Sequence, residues 1–274
     1  MDFLTLTARD GATVSICHQG AHVCSWIPAG GSEQLFLSKK SEYQEGVAIR
    51  GGIPVIFPQF AGMGTLPKHG FARTAEWKLL QQQQTENGAA QAIFNLKENI
   101  ARLTIWPHVF NAQLAVSVQG NALQVALSIE NTGDTTFSFT SALHTYLAVN
   151  DIREARLCGL QGTHYRDSLT GRNQCEESAE FLQIAGETDR IYANVPDQLR
   201  LQQAHQHLHI HTTGFADAVV WNPGQNAALK LNDMEIDGDQ RMLCVEAANI
   251  MRPISLTPGE SWSGSQSFMV TYMK

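Results

Sequence analysis

The sequence predicts an all-β protein: one large, mostly antiparallel β-sandwich with few short helices. Three observations carry that expectation. Short apolar or alternating runs recur along the chain with turn residues between them. Two period-2 runs over residues 113–131 meet at Gly120-Asn121, the pattern of a β-hairpin. Runs with a sustained 3.6-residue period are scarce.

Taken in order, the strand-like runs begin with "FLTLTA", "ATVSIC" and "AHVCSWIP". They continue through "QAIFNL", "RLTIW" and the long hairpin, and then "HLHIHT", "DAVVWN" and "SFMVTYM". The "QQQQ" run at residues 81–84 reads as exposed strand and turn. Short helical turns are expected at residues 40–45 and 222–228. No linker, repeat or charge block divides the chain, so residues 1–274 are expected to form a single domain.

The composition agrees with a sizeable core. Apolar residues make up 43% and charged residues 16%, the latter well under the roughly 25% of an average globular protein. A net charge of -7 lacks the basic face that nucleic acid or an anionic membrane demands, so neither is expected as a partner. It leaves room for a small anionic ligand, because a few arginines can invert a local field. Five cysteines in no CxxC spacing read as free thiols of a cytoplasmic protein. No apolar window reaches the length of a membrane span.

"HQHLHIH" places His205, His207, His209 and His211 in strict alternation. On a strand they share one face, but same-face neighbours stand about 7 Å apart, too far for several to grip one ion. A solvated face opposite Leu208 and Ile210 is the expectation, and no metal or cofactor is expected. Nucleotide-binding glycine patterns are absent, and the serines lack a nucleophile-elbow context.

Polar residues that interrupt apolar runs are more informative. His144 sits inside "SALHTYL" and Glu246 inside "CVEAANI". A buried carboxylate is costly unless paired or kept for a purpose, and a His–Glu pair suits proton chemistry in which one group gains a proton as the other loses one. Asp189 and Asp217 stand at the edges of apolar runs, where capping or turn roles are the plain expectation. "AIRGGIPVIFPQF" breaks an apolar strand with two glycines and two prolines, and Arg50, His69 and Arg73 flank it. Two arginines near a cleft are suited to gripping a phosphate.

Together, "IRGGIPVIFPQF", "LPKHGFAR", "SALHTYLAVNDI", "TDRIY" and "CVEAANI" resemble, in family order, the hexose-6-phosphate mutarotases of the aldose 1-epimerase superfamily. The resemblance implies a galactose mutarotase-like supersandwich and a cofactor-free isomerase acting on hexose phosphates; a monomer is expected. It implies that Glu246 and His144 are the catalytic base and acid. It implies that His69 contacts the sugar near its ring oxygen, that Asp189 binds sugar hydroxyls, and that Arg50 and Arg73 mark the phosphosugar branch. Lys68 departs from a pattern in which glutamine often precedes the histidine; reaching the phosphate and pointing to solvent are equal readings for it. Asp217 matches no catalytic position. Two alternatives stay open: an aldose 1-epimerase acting on free hexoses, and a non-catalytic sugar-phosphate binder.

Overall fold

The computed structural model describes residues 1–273. Strands dominate it and pair antiparallel in three sheets. A three-stranded sheet joins Phe3–Thr7, Thr13–Cys17 and His22–Ile27. A nine-stranded sheet holds the long hairpin, Phe110–Gln119 with Ala122–Asn131, near its middle. An eight-stranded sheet carries, in spatial order, Cys175–Glu176, His164–Asp167, Thr188–Ala193, Asp217–Asn222, Met242–Leu256, Phe137–Leu143 and Val55–Ile56. Tyr146–Ala148 pairs beside Met242–Leu256.

The hairpin shows how pattern becomes fold. Alternate residues of Phe110–Gln119 are buried, so one face meets the core and the other is half-exposed. The ladder runs from Phe110 opposite Asn131 to Gln119 opposite Ala122, leaving Gly120-Asn121 as a two-residue turn. Gly120 has φ 58°, a left-handed value at the first turn position that glycine adopts without strain.

One hydrophobic core spans all three sheets. Val14, Ile16 and Trp26 meet Leu114, Val116, Leu127 and Ile129 of the large sheet, and Leu143, Val220 and Val245 of the eight-stranded sheet. Each fully buried side chain of this kind contributes about 1.5–3 kcal/mol. Along Met242–Leu256, Leu243, Val245 and Ala247 belong to that core. The residues between them face the other way: Ala248 joins a small cluster with Ile56, Phe60, Ile191 and Val219, and Cys244 joins another with Phe36, Tyr146 and Met242. Glu246 lies on this second face, between the two clusters.

Pro54 and Pro58 flank Val55–Ile56, which ends the eight-stranded sheet, the position proline tolerates. The glycines before it serve the fold. Gly51 and Gly52 have φ 115° and 61°, and a Cβ on Gly52 would lie 2.2 Å from the Val23 carbonyl oxygen and 2.6 Å from His22 Nε2. They turn the chain sharply against the His22–Ile27 strand rather than bring backbone to a ligand.

Two local expectations fail. Residues 40–45 are not helical, because the Ser38 and Ser41 hydroxyls bind other backbone. The Lys40 amide donates to Ser38 Oγ at 3.2 Å, while Ser41 Oγ donates to the Arg50 carbonyl at 2.9 Å and accepts from the Arg50 amide at 3.1 Å. Conversely, the "RLTIW" run is helical rather than extended. Ile100–Ile105 forms a short helix capped by Asn99, whose Oδ1 accepts the Arg102 amide at 2.8 Å. The turn expected near residue 224 is present as Gly224–Ala228. Residues 81–84 fall in an exposed strand. No helix among the described residues is long and apolar enough to cross a membrane.

His207, His209 and His211 alternate with buried Leu208 and Ile210 on Gln206–Thr213. Among the described residues no three His, Cys, Asp or Glu side chains are grouped to hold a metal.

Asp217 has the structural role expected of it. Its Oδ2 accepts the Ile250 and Met251 amides, each at 2.8 Å, where pairing with Phe137–Leu143 shifts register between Asn249 and Ile254. Removing the carboxylate strands two amide donors. Asp217→Ala is expected to lower folding stability by about 2–4 kcal/mol, with Asp217→Asn losing less. Urea unfolding of the two variants checks this.

Candidate active site

Outside the core, the second face of the eight-stranded sheet floors a cleft of about 260 Å³. Strand register lays its residues out in rows. Glu246 stands opposite Val219, Val219 opposite Ile191, and Ile191 opposite Arg166. In the next row Tyr146 is opposite Cys244, Cys244 opposite Trp221, and Trp221 opposite Asp189. Residues of one row project to one face.

His144 lies just beyond the Phe137–Leu143 strand, where its amide donates to the Pro54 carbonyl at 3.0 Å. Its ring stacks on Tyr146, centroids 4.9 Å apart and planes 12° from parallel, with Trp221 edge-on. Its Nε2 is 3.3 Å from Glu246 Oε1. Glu246 is 1% exposed and His144 9%. Each retains one buried polar atom without a partner, Nδ1 of His144 and Oε2 of Glu246. Buried polar groups are seldom left unpaired, so such atoms point to a ligand.

Burial pushes the Glu246 carboxyl well up, and the nearby Asp189 charge adds to it. Burial holds the His144 imidazole well below its ordinary value, helped by the fields of His69, Arg50 and Arg73. Both directions disfavour an ion pair. They favour a carboxylic acid 3.3 Å from a neutral imidazole.

His69 packs edge-on against Phe60 and His144. Its Nδ1 accepts the Ala61 amide at 3.2 Å, which leaves Nε2–H as its donor. Burial and the charges of Arg73, Lys68 and Arg50 push it down to about 3.

The expected cations occupy different positions. Arg50 lines the cleft and is anchored, donating from Nη1 to the Tyr146 hydroxyl at 3.0 Å and from Nε to Asp233 Oδ2 at 3.1 Å. Lys68 also lines the cleft and is exposed. Arg73 stands behind the Lys68-His69 turn rather than in the wall, its Nη2 donating to the Lys68 carbonyl at 3.0 Å. Asp189 lines the cleft, and burial raises its carboxyl against an opposing hydrogen bond from Ser168.

Thus Arg50, Lys68, His69, His144, Asp189 and Glu246 converge, and Arg73 reaches the site only through its field. Sequence reasoning missed Tyr146, Trp221, Arg166 and Asp233. Tyr146 was within reach, two residues beyond His144. Asp233 is 183 residues from Arg50 and carries no local signal. A larger hollow of about 700 Å³ lies on the nine-stranded sheet beside His209 and His211. No acid is among the residues lining it, and His211 instead lies 4.0 Å from the exposed Asp197 outside that lining, whereas the smaller cleft brings an acid and a histidine together in its wall.

Comparison with known proteins gives the family. The aldose 1-epimerase family profile matches residues 2–269. The chain belongs to the aldose 1-epimerase family. It is therefore an isomerase of the epimerase kind. A protein of Cenchrus ciliaris provisionally named glucose-6-phosphate 1-epimerase is 36% identical, over 89% of this chain and 77% of that one. An Escherichia coli K12 protein with the same provisional name is 35% identical, over 90% of this chain and 84% of its own. Among solved structures, a Salmonella typhimurium protein provisionally called a mutarotase superposes with a TM-score of 0.91 at 28% identity, covering 99% of this epimerase and 91% of that chain. The fold is the galactose mutarotase-like sandwich expected from sequence.

The buried histidines predict that folding stability falls in acid. His22, fully buried with Nε2 2.8 Å from the Gly51 carbonyl, is pushed down to about 4, chiefly by burial. Both His22 and His69 stay neutral in the folded chain while their unfolded counterparts protonate below about pH 6.5. Unfolded chains therefore bind more protons, and stability falls as pH drops. The loss reaches roughly 1.4 kcal/mol per pH unit for each histidine. His144 and Glu246 shift in opposite senses and offset one another. Urea unfolding from pH 7 to pH 5 is expected to show this decline, and constant stability would contradict it.

Proposed function

We propose that this epimerase interconverts the α and β anomers of hexose 6-phosphates, glucose 6-phosphate foremost, by acid–base opening and closing of the pyranose ring. The observation that carries the proposal is the buried His144–Glu246 contact at 3.3 Å, with one free polar atom on each partner. A pure binder has no need of a matched acid and base.

The pair holds one proton in total. In the empty cleft Glu246 carries it. Moving it to the imidazole creates the working form, a carboxylate base and an imidazolium acid. Glu246 then removes the proton of the anomeric hydroxyl while His144 protonates the ring oxygen, and the C1–O5 bond breaks to give the open-chain aldehyde. Rotation about C1–C2 presents the other carbonyl face, and closure reverses both transfers. Each residue acts once as acid and once as base, which suits groups shifted toward one another.

The phosphate is assigned to the cationic end. C6 is carried by C5, the ring carbon bonded to the ring oxygen, so a sugar with that oxygen at His144 places its phosphate toward Arg50, Lys68 and the Arg73 field. A phosphate dianion there would cancel part of the charge that holds His144 neutral, favouring the working form. Among the described residues neither Lys68 nor Arg73 has a carboxylate within ion-pair distance. Arg50 is partly neutralised by Asp233, and that pairing is the observation favouring free hexoses as substrates. The same proposal takes the chain as one domain and a cytoplasmic monomer, supported by a core continuous across the sheets and by cysteines that are all free.

Saturation-exchange NMR of the glucose 6-phosphate anomers tests it. His144→Ala and Glu246→Gln are each expected to slow exchange by about 10²–10⁴-fold, and near-wild-type rates in either would sink the assignment. Arg50→Ala and Arg73→Ala are expected to raise KM for glucose 6-phosphate far more than for glucose. Equal, unaltered KM values for the two sugars would transfer the enzyme to free hexoses.

A further inference from the structure

One polar side chain in the cleft has no part in this chemistry. Arg166, on the His164–Asp167 strand, lines the cleft, and its Nε is buried without a hydrogen-bond partner. Among the described residues no carboxylate lies within ion-pair distance of it. Arg50 and Arg190, by contrast, are bound to Asp233 and Glu177. Leaving a buried donor unpaired is costly, so an acceptor from the ligand is the natural complement.

Register fixes where that acceptor must be. Arg166 begins the row that ends at Glu246, with Ile191 and Val219 between them as an apolar floor. Three strand spacings put the two backbones about 14 Å apart. An arginine and a glutamate reaching inward from those ends leave room for one sugar ring. When the anomeric oxygen is at Glu246 and the ring oxygen at His144, the opposite edge of the ring is C3 and C4. C4 lies across the ring from C1, and C3 across from the ring oxygen. Asp189 lies one row away, on the row that ends at Tyr146, and within the field of Glu246.

We propose that Arg166 is a specificity-determining residue whose guanidinium donates hydrogen bonds to the hydroxyl oxygens on C3 and C4 of the sugar. The inference rests on the hexose-6-phosphate reading above. Guanidinium is donor-only and carboxylate acceptor-only, so Arg166 and Asp189 read different lone pairs and protons of the hydroxyl array. A site built this way discriminates strongly against an analogue that lacks the hydroxyl.

The test separates binding from turnover. Calorimetry measures binding of 1,5-anhydroglucitol 6-phosphate, which lacks the anomeric hydroxyl, together with its 3-deoxy and 4-deoxy forms. The proteins are the wild type, Arg166→Met and Arg166→Lys, with melting curves to confirm folding. Arg166→Met is expected to bind the parent compound about tenfold or more weakly, with Arg166→Lys intermediate. Removing O3 or O4 should weaken binding to the wild type while costing Arg166→Met little. Unchanged affinity in Arg166→Met, or the same loss for parent and both deoxy compounds, would overturn the inference. If the wild type binds these compounds yet does not accelerate anomer exchange, the epimerase reading of the substrate fails while Arg166 is still judged by its binding pattern. Failure of the wild type to bind any of them would overturn both.

Discussion

A carboxyl group that is 1% exposed, in the middle of a strand whose neighbours are all apolar, is the constraint around which this protein is arranged. As a bare carboxylate Glu246 would cost several kcal/mol at such depth. Burial favours the protonated acid there, beside an imidazole that burial likewise favours neutral. That arrangement requires His144 to be held in place, and the Tyr146 ring beneath it and the Pro54 carbonyl do so. Tyr146 is in turn tied to Arg50, and Arg50 to Asp233. A single buried acid thus links the sheet centre to its cationic rim.

Sheet geometry makes the arrangement possible. Met242–Leu256 lends alternate residues to the main core and to a second face that no other sheet covers in full. Two small apolar clusters flank the cleft on that face and leave Glu246 between them. Asp217 secures the irregular stretch of the same strand at Ile250 and Met251, four residues beyond the acid. The glycine turn at Gly51-Gly52 packs against His22 and Val23, which fixes the base of the segment bearing Arg50. Stability and site geometry therefore share parts, and the lowered pKa values of His22 and His69 predict that stability falls in acid.

Much of this was legible in the sequence, for identifiable reasons. Period-2 alternation announced the hairpin. His144 and Glu246 stood out because a polar residue inside an apolar strand demands a physical reason. Pro54 and Pro58, which suit an edge or a loop, lie where Val55–Ile56 ends the eight-stranded sheet. What escaped depends on distant partners or on local hydrogen bonds that composition does not reveal. Arg73 looked equivalent to Arg50, yet it braces the Lys68 carbonyl from behind. Gly51 and Gly52 suited either a backbone approach to the sugar or a sharp turn, and they make the turn. "RLTIW" has strand-like composition, and Asn99 nonetheless caps it into a helix. Arg166 and Asp233 lie in no periodic run, and only the pairing of strands and loops across the chain brings them to the cleft.

The central claim is that Glu246 holds the one proton of the pair in the empty enzyme at neutral pH. Infrared difference spectroscopy between wild type and Glu246→Gln reads it directly, with 15N NMR of labelled histidine reporting His144. The account predicts a carboxylic-acid C=O band in the wild type that the variant lacks, together with a neutral His144 imidazole. An ionised carboxylate in place of that band, with His144 as an imidazolium, would contradict it.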